Sequence, residues 1–94
     1  MIYEWDENKR QINLKIHAVD FIDAEGFDWT EAQIRIDFRN CDQELRLIAY
    51  GPIGNRLHVM VCTLRLHRIR IISLRKANYR EVKRYAENQA HHPH

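Results

Sequence analysis

Residues Arg65–Arg84 read RLHRIRIISLRKANYREVKR and are dense in arginine and lysine. The first half of this stretch places β-branched residues between arginines, which indicates a strand. After Lys76-Ala77-Asn78 the pattern changes to that of a short helix. Glu81 is the single acid in the stretch. Such a concentrated positive field predicts a polyanionic partner, and the alternative is a solvated basic face that only keeps the protein soluble.

The two halves of the chain carry opposite charge. Residues 1–44 contain five Lys or Arg and eleven Asp or Glu, a net charge of −6. Residues 45–94 contain ten Lys or Arg and two Asp or Glu, a net charge of +8. The net charge of +2 for the whole chain therefore understates the field that a partner would meet at the basic half.

Length and composition restrict the class of protein. Ninety-four residues make one domain, which we place at residues 1–88, followed by a flexible histidine-rich tail at residues 89–94. No apolar run approaches the roughly 20 residues of a membrane-spanning helix, and the chain starts with acids where a signal peptide has basic residues. The sequence therefore predicts a cytoplasmic protein without membrane contact. It has no glycine-rich phosphate loop, and its tail histidines His91, His92 and His94 lack the rigid frame that a metal site needs, so we predict neither a cofactor nor a metal site.

The order of the sequence patterns predicts an α+β fold with an antiparallel sheet. An edge strand at residues 2–5 precedes two short helices, for which Asp6 and Asp20 are the predicted N-caps. Four strands follow, at residues 34–38, 45–50, 57–64 and 68–74. Gly51-Pro52 is expected to end the second of these strands. Their short connections favour an antiparallel meander, and the chain closes with a C-terminal helix.

Arginine-rich surfaces can support RNA cleavage, because the 2′-hydroxyl of RNA is an internal nucleophile beside the phosphate that it attacks. The protein has to orient that hydroxyl, stabilise the charge on the phosphate and move one or two protons. A guanidinium group suits the phosphate, since its planar fork pairs with two oxygens and keeps its charge. The basic groups that fit this role are Arg70, Arg75 and Lys76 along or just after the strand, and Arg80 and Arg84 on the helix.

Proton transfer has fewer candidates. Glu81 could act as a base, or it could be the acid of a capping box bonded to the backbone of Asn78. Tyr85 could donate a proton or stack on a base, or it could pack the helix on the sheet. Chemistry by two histidines would require convergence among His17, His58 and His67. The last two are expected to face solvent.

The chain resembles the BrnT toxins of type II toxin–antitoxin systems from Tyr3 to about Glu87. The opening Glu4-Trp5-Asp6 is similar to the first motif of the family. Further matching positions are Lys9, Asn13, His17, Val19, Phe21, Arg46, Gly51, Arg56, Leu57, Val59 and Val61. The most specific match is IRIISLRKA at residues 69–77 with Glu81 and Tyr85, which resembles the family signature IRIISARRA…E…Y over seventeen positions.

Four positions depart from the family pattern. The lysine before His17 is replaced by Ile16, and the glycine after it by Ala18. In the last motif, Leu74 stands for a small alanine and Lys76 for the second arginine. Lysine keeps the positive charge at position 76 but loses the two-pronged geometry with which arginine holds a phosphate.

The resemblance implies a RelE-like fold with two N-terminal helices on an antiparallel sheet. It also implies that the protein arrests translation by cleaving RNA and that a BrnA-type antitoxin neutralises it. That antitoxin carries a DNA-binding domain, so the protein would contact operator DNA only indirectly, through the antitoxin. Together with the basic stretch it predicts a metal-independent endoribonuclease. The candidate catalytic residues are Arg70, Arg75, Lys76, Glu81, Tyr85 and His17, and the candidate RNA-binding residues are Arg68, Arg80, Lys83, Arg84 and Tyr79. The alternatives are a catalytically weak or inactive toxin fold that binds RNA or antitoxin, and an interaction protein whose basic face docks an acidic protein.

Overall fold

The computed structural model describes residues 1–40 and 44–91, so the end of the predicted tail, His92 to His94, lies outside the described residues. In chain order the elements are β1 (Tyr3–Glu4), α1 (Glu7–His17), a 3₁₀ segment at Phe21–Gly26, a second at Trp29–Glu31, β2 (Gln33–Ile36), a third 3₁₀ segment at Phe38–Asn40, β3 (Arg46–Ile53), β4 (Arg56–Arg65), β5 (Arg68–Lys76) and α2 (Tyr79–His91). The helix α2 extends over residues 89–91, the start of the predicted tail. None of the described helices combines the length and apolarity needed to cross a bilayer.

The five strands form one sheet in the order β1-β5-β4-β3-β2. The predicted antiparallel meander from β2 to β5 is confirmed. The sheet is nevertheless mixed rather than purely antiparallel, because β1 lies parallel to β5, with Tyr3 opposite Ile69 and Glu4 opposite Arg70. Parallel neighbours need a long connection, and most of the chain separates β1 from β5.

The strand β3 is longer than predicted, because Gly51-Pro52 does not end it. Pro52 pairs with Leu57 of β4, and its carbonyl accepts a hydrogen bond of 3.0 Å from the backbone N–H of Asp28. The Pro52 nitrogen therefore faces the side of β3 that β2 leaves open, since β2 pairs only as far as Tyr50. A proline at such a position removes no hydrogen bond from the sheet.

The two predicted N-terminal helices begin at the predicted caps. The Asp6 carboxylate accepts hydrogen bonds of 2.8 and 3.2 Å from backbone N–H groups in the first turn of α1. Asp20 caps the following segment in the same way, but that segment is a 3₁₀ helix rather than an α-helix. Phe21 and Ala24, three residues apart, are both fully buried. The threefold period of a 3₁₀ helix places such a pair on one face.

The main core lies on the face of the sheet that these N-terminal segments cover. Its fully buried members are Phe21, Ala24, Ala49, Met60, Cys62, Ile71 and Leu74. Gly51 leaves room for the Phe27 ring, since a Cβ atom at position 51 would lie 2.6 Å from the Cζ atom of that ring. Burial raises the pKa of the Cys62 thiol to about 11, which keeps it protonated and unreactive.

Asn13 joins α1 to the open edge of β5. Its side-chain amide donates to the carbonyl of Leu74 at 2.7 Å and to that of Val19 at 3.0 Å, and its oxygen accepts from the N–H of Leu74 at 3.2 Å. Asn13 is only 5% exposed. The amide thus satisfies the backbone of Leu74 as a neighbouring strand would, in a place that β1 does not reach.

Candidate functional site

The face of the sheet opposite the main core carries three rows of side chains, set two residues apart along β3 and β4. Row one is Gln33, Tyr50, Val59 and Arg75; row two is Arg35, Ile48, Val61 and Ser73; row three is Arg46, Thr63, Arg70 and Glu4. Alternate residues of a strand face the same side of a sheet. The helix α2 lies over row one, so rows two and three remain the more open part of this face.

A bulge in β5 brings Arg70 and Arg75 to the same face. Their separation of five residues would place them on opposite sides of a regular strand. The register between β4 and β5 shifts at Ile72, which is skipped in the pairing, and one extra residue reverses the alternation beyond it. Lys76, the next residue after Arg75, lies opposite the buried His58 and so alternates away from this face. The structure therefore brings Arg70 and Arg75 together on one surface but not Lys76.

Arg75 and Glu81 form a two-pronged ion pair. The two terminal nitrogens of Arg75 donate to the two carboxylate oxygens of Glu81, both at 2.8 Å. The Glu81 Oε1 atom also accepts from the N–H of Asn78 at 2.9 Å, and the N–H of Glu81 donates to the Asn78 side chain at 2.9 Å. These reciprocal bonds are the predicted capping box. The Arg75 guanidinium lowers the pKa of Glu81 below its usual value, and Glu81 in turn raises the pKa of Arg75.

Two guanidinium groups lie close to the Tyr50 ring. The guanidinium carbon of Arg35 lies 5.6 Å from the centre of the Tyr50 ring, and that of Arg84 lies 5.4 Å from it. Both distances are typical of cation–π contacts. Tyr50 is 7% exposed and lies in the same row as Arg75. Sequence reasoning missed Arg35 and Tyr50, because only the pairing of β2 with β3 brings them to this surface.

Tyr85 connects α2 to the segment at and just before β2, the edge strand farthest from β1. Its hydroxyl donates to the backbone carbonyl of Glu31 and accepts a hydrogen bond of 3.0 Å from Gln89. The carbonyl of Tyr85 accepts a hydrogen bond of 3.0 Å from the Gln33 side chain. Between this helix and the sheet lies a pocket of about 200 Å³, which Tyr50 and Arg84 also line. Tyr85 therefore packs α2 on the sheet, and its hydroxyl is already hydrogen-bonded.

The remaining basic candidates lie at the margins of this surface. Arg80 and Lys83 are exposed on α2, and Arg68 is exposed at the end of β5 nearest the β4–β5 turn. Tyr79 is 80% exposed at the start of α2, so its ring is accessible to a base. Arg84 differs from these because its side chain turns inward over Tyr50.

The histidines do not converge. His58 lies near the start of β4 and is buried, against expectation, whereas His67 lies in the turn after β4. Seven residues of β4, about 23 Å at the rise of a strand, separate His58 from the turn that holds His67. His17 ends α1 and lines a groove with Ile72 and Ser73 rather than the pocket beneath α2.

Row three contains a second ion pair. One terminal nitrogen of Arg70 donates to a carboxylate oxygen of Glu4 at 2.9 Å. Arg46, which lies outside the basic strand–helix stretch at residues 65–84, is two strands away in the same row. Within residues 1–40 and 44–91, no three His, Cys, Asp or Glu side chains are grouped closely enough to hold a metal ion.

Comparison with known proteins identifies the family. A search of curated proteins gives no match. Residues 5–81 match the family described as the ribonuclease toxin, BrnT, of type II toxin–antitoxin systems. The match spans most of the chain, from the residues just after β1 through the whole meander to the start of α2. The chain therefore belongs to the BrnT family of type II toxin–antitoxin ribonuclease toxins.

Proposed function

We propose that the protein is a metal-independent endoribonuclease that cleaves RNA on the arginine-bearing face of its sheet. One observation carries the proposal: the guanidinium groups of Arg35 and Arg84 flank Tyr50 in the row that ends in Arg75. Several fixed guanidinium groups at one place suit the charge that develops on a phosphate during cleavage. Membership of the family implies an RNA target and an antitoxin partner.

The proposed reaction uses the RNA itself as nucleophile. The 2′-hydroxyl oxygen bonds to the adjacent phosphorus as the bond from phosphorus to the 5′-oxygen breaks, which leaves a 2′,3′-cyclic phosphate and a 5′-hydroxyl. Arg75, with Arg35 and Arg84, stabilises the phosphate charge. Glu81 takes the proton of the 2′-hydroxyl, and the leaving 5′-oxygen takes a proton from water. The hydroxide so formed then takes the proton from Glu81, which restores the carboxylate.

The hydrogen bonds of Glu81 indicate which of its two carboxylate oxygens can accept the proton of the 2′-hydroxyl. Oε1 accepts from both Arg75 and the N–H of Asn78, which fills its two acceptor positions. Oε2 accepts one hydrogen bond, from Arg75, and so keeps an acceptor position. A proton from the substrate is therefore expected to arrive at Oε2, on the same carboxylate that orients Arg75.

The biological setting follows the family. In this proposal cleavage arrests translation in the cytoplasm, and an antitoxin of the BrnA type, with its own DNA-binding domain, neutralises the protein. Operator DNA is contacted only through that antitoxin. An acidic antitoxin segment would complement the arginines of rows one and three in charge. The four antiparallel strands with helices on both faces of the sheet support assignment to the RelE-like folds.

A cleavage assay on the protein freed from its antitoxin tests the proposal. Single-stranded RNA should give fragments with 2′,3′-cyclic phosphate ends in the presence of EDTA, and a 2′-O-methyl group at the cleaved position should abolish the cut. Arg75→Ala should lose cleavage, whereas Arg56→Ala, a change of the same kind in the β3–β4 hairpin, should retain it. If the wild type cuts no RNA and arrests growth no more than an Arg70→Ala/Arg75→Ala double variant does, the enzyme reading is wrong.

The Arg75–Glu81 pair favours a second candidate, a toxin fold that binds RNA or antitoxin without efficient cleavage. Both oxygens of Glu81 are engaged and its pKa is lowered, which weakens it as a base. Under this candidate the wild type binds RNA in a salt-sensitive manner, with a slope of roughly −0.7 per phosphate contact, and yields no cut products.

A further inference from the structure

We propose that row three, Arg46, Thr63 and Arg70, is a second phosphate-binding subsite, so that the substrate is a strand of about six nucleotides or more rather than a single phosphodiester. This inference rests on the proposed function and extends it along the same face. It assigns the subsite to three neighbouring strands, one residue from each.

The register places the two arginines on either side of Thr63. Arg46 on β3 and Arg70 on β5 are both paired with Thr63 on β4. Neighbouring strands lie about 4.8 Å apart, so the Cα atoms of the arginines are separated by about 10 Å. Arginine side chains are long enough to meet over the middle strand from that distance. The row thus forms a clamp suited to one phosphate, with Thr63 at its floor.

Thr63 supplies an observation that packing alone does not explain. It is 5% exposed, and its hydroxyl makes no hydrogen bond with any residue that the structure describes. Buried hydroxyls are normally bonded, and an orphaned one calls for a partner. A phosphate oxygen held between the neighbouring guanidinium groups would accept its proton. The oxygen reaches the hydroxyl when a flanking arginine side chain moves, and the Arg70 side chain is 32% exposed.

Glu4 regulates the charge of this subsite. Its carboxylate holds one terminal nitrogen of Arg70 at 2.9 Å, in a partly exposed pair. This single-pronged contact leaves the other two nitrogens of the guanidinium group for a ligand, unlike the two-pronged pair at Arg75. An incoming phosphate therefore competes with a carboxylate for Arg70, and the removal of that carboxylate should strengthen binding.

The distance between the rows defines the length of the substrate. Tyr50 in row one and Arg46 in row three are four residues apart on β3, which is about 13 Å at the rise of a strand. A stacked strand advances about 3.4 Å per nucleotide, so the two phosphates lie roughly four nucleotides apart. Ile48 and Val61, in row two between them, give the intervening bases an apolar floor.

Binding of oligonucleotides of graded length tests the proposal. The probes are 2′-O-methyl RNAs of two, four and eight nucleotides, which lack the nucleophile and are not cut. The full-length wild type should bind the octamer about tenfold more tightly than the dimer. Arg70→Gln should abolish most of this gain and reduce the salt slope for the octamer by about 0.7. Thr63→Val, which keeps the shape of the side chain, should reduce octamer affinity about threefold and leave dimer affinity unchanged.

Two further variants make the result specific. Glu4→Gln should increase octamer affinity without affecting the dimer. Arg56→Gln changes the charge as Arg70→Gln does and serves as the control. Arg56 pairs with Ile53, which packs on the main core, so it lies on the other face of the sheet. This variant should bind the probes as the wild type does. If Arg70→Gln and Thr63→Val keep the wild-type length dependence and salt slope, the subsite is overturned. Length-dependent binding without any RNA cleavage would support the subsite and reject the proposed enzyme. If the wild type cleaves RNA but binds all three probe lengths equally, the proposed enzyme is supported and the second subsite is rejected.

Discussion

Arg75 of β5 and Glu81 of α2 are joined by two parallel hydrogen bonds of 2.8 Å, which tie the last helix to the last strand. The same carboxylate caps α2 through Asn78. Arg75 is therefore held in one orientation over the sheet, as a phosphate-binding guanidinium requires, and its partner is the nearest acid to the phosphate that it would bind. A single side chain, that of Glu81, therefore both caps α2 and orients Arg75.

Replacement of Arg75 by lysine should lower the rate of RNA cleavage about 100-fold, although the positive charge is retained. Lysine cannot make the two-pronged contact with Glu81 or with a phosphate, and loss of one fixed donor to a transition state typically has an effect of this size. Single-turnover cleavage of a short RNA measures it. Arg56→Lys is the matched control and should cleave at the wild-type rate. A rate within threefold of the wild type for Arg75→Lys would contradict the role given to the guanidinium fork.

The stability contributed by Glu81 should depend on pH. Its pKa is lowered in the folded protein from an ordinary value of 4.5, mainly by the hydrogen bonds from Arg75. The unfolded state therefore binds the proton more readily, and the contribution is fully present above pH 4.5 and is lost as the pH falls through the folded pKa. Glu81→Gln should be less stable than the wild type by about 1.5 kcal/mol at neutral pH.

Urea denaturation across a pH series measures this difference. It should stay constant from pH 7 to pH 5 and shrink below pH 4.5. Glutamine still suits a capping box, so the variant retains the α2 cap and isolates the ionic part. Glu87→Gln, a matched change further along α2, should give no such pH-dependent difference. An equal destabilisation of Glu81→Gln at pH 3 and pH 7 would contradict the ion-pair account.

The Tyr50 ring should contribute to RNA affinity through the two guanidinium groups that it positions. Tyr50→Leu removes both cation–π contacts, each worth about 0.5–1 kcal/mol, and should weaken binding about tenfold. Tyr50→Phe keeps the ring and should bind RNA as the wild type does. Fluorescence anisotropy with an uncleavable RNA measures both. If Phe and Leu weaken binding equally, the hydroxyl rather than the ring is the functional part.

Asn13→Ala should destabilise the protein by roughly 3 kcal/mol, because the buried N–H and carbonyl of Leu74 would be left without partners. Chemical denaturation of the variant measures the loss. Asn8→Ala, on the exposed side of the same helix, should change stability by less than about 0.5 kcal/mol. A small effect at Asn13 would mean that water can replace the amide at the edge of β5.

Local features of the fold could be predicted from the sequence. The caps at Asp6 and Asp20 and the capping box between Asn78 and Glu81 were found at the expected places. Each involves residues no more than three positions apart, so backbone and side-chain chemistry fix them without help from the rest of the molecule. The antiparallel meander was also predictable, since its connections are too short for any other arrangement.

The composition of the site could be predicted only in part. The basic strand–helix stretch and the family motif predict Arg70, Arg75 and Arg84, and all three lie on the face opposite the main core. Lys76 was named with them but faces the other way, because one bulged residue reverses the alternation of β5. The bulge depends on how β5 pairs with β4, and the sequence of β5 alone does not predict it.

By itself, the sequence determined the family, the order of the elements and the basic character of the strand–helix stretch at residues 65–84, since motif, periodicity and charge are properties of neighbouring residues. Only the tertiary structure decided that Arg35, Arg46 and Tyr50, from the other end of the sheet, complete this surface, and that Glu4 and Glu81 hold its arginines. Contacts between strands far apart in the chain are selected by the packing of the whole sheet, and no local pattern encodes them.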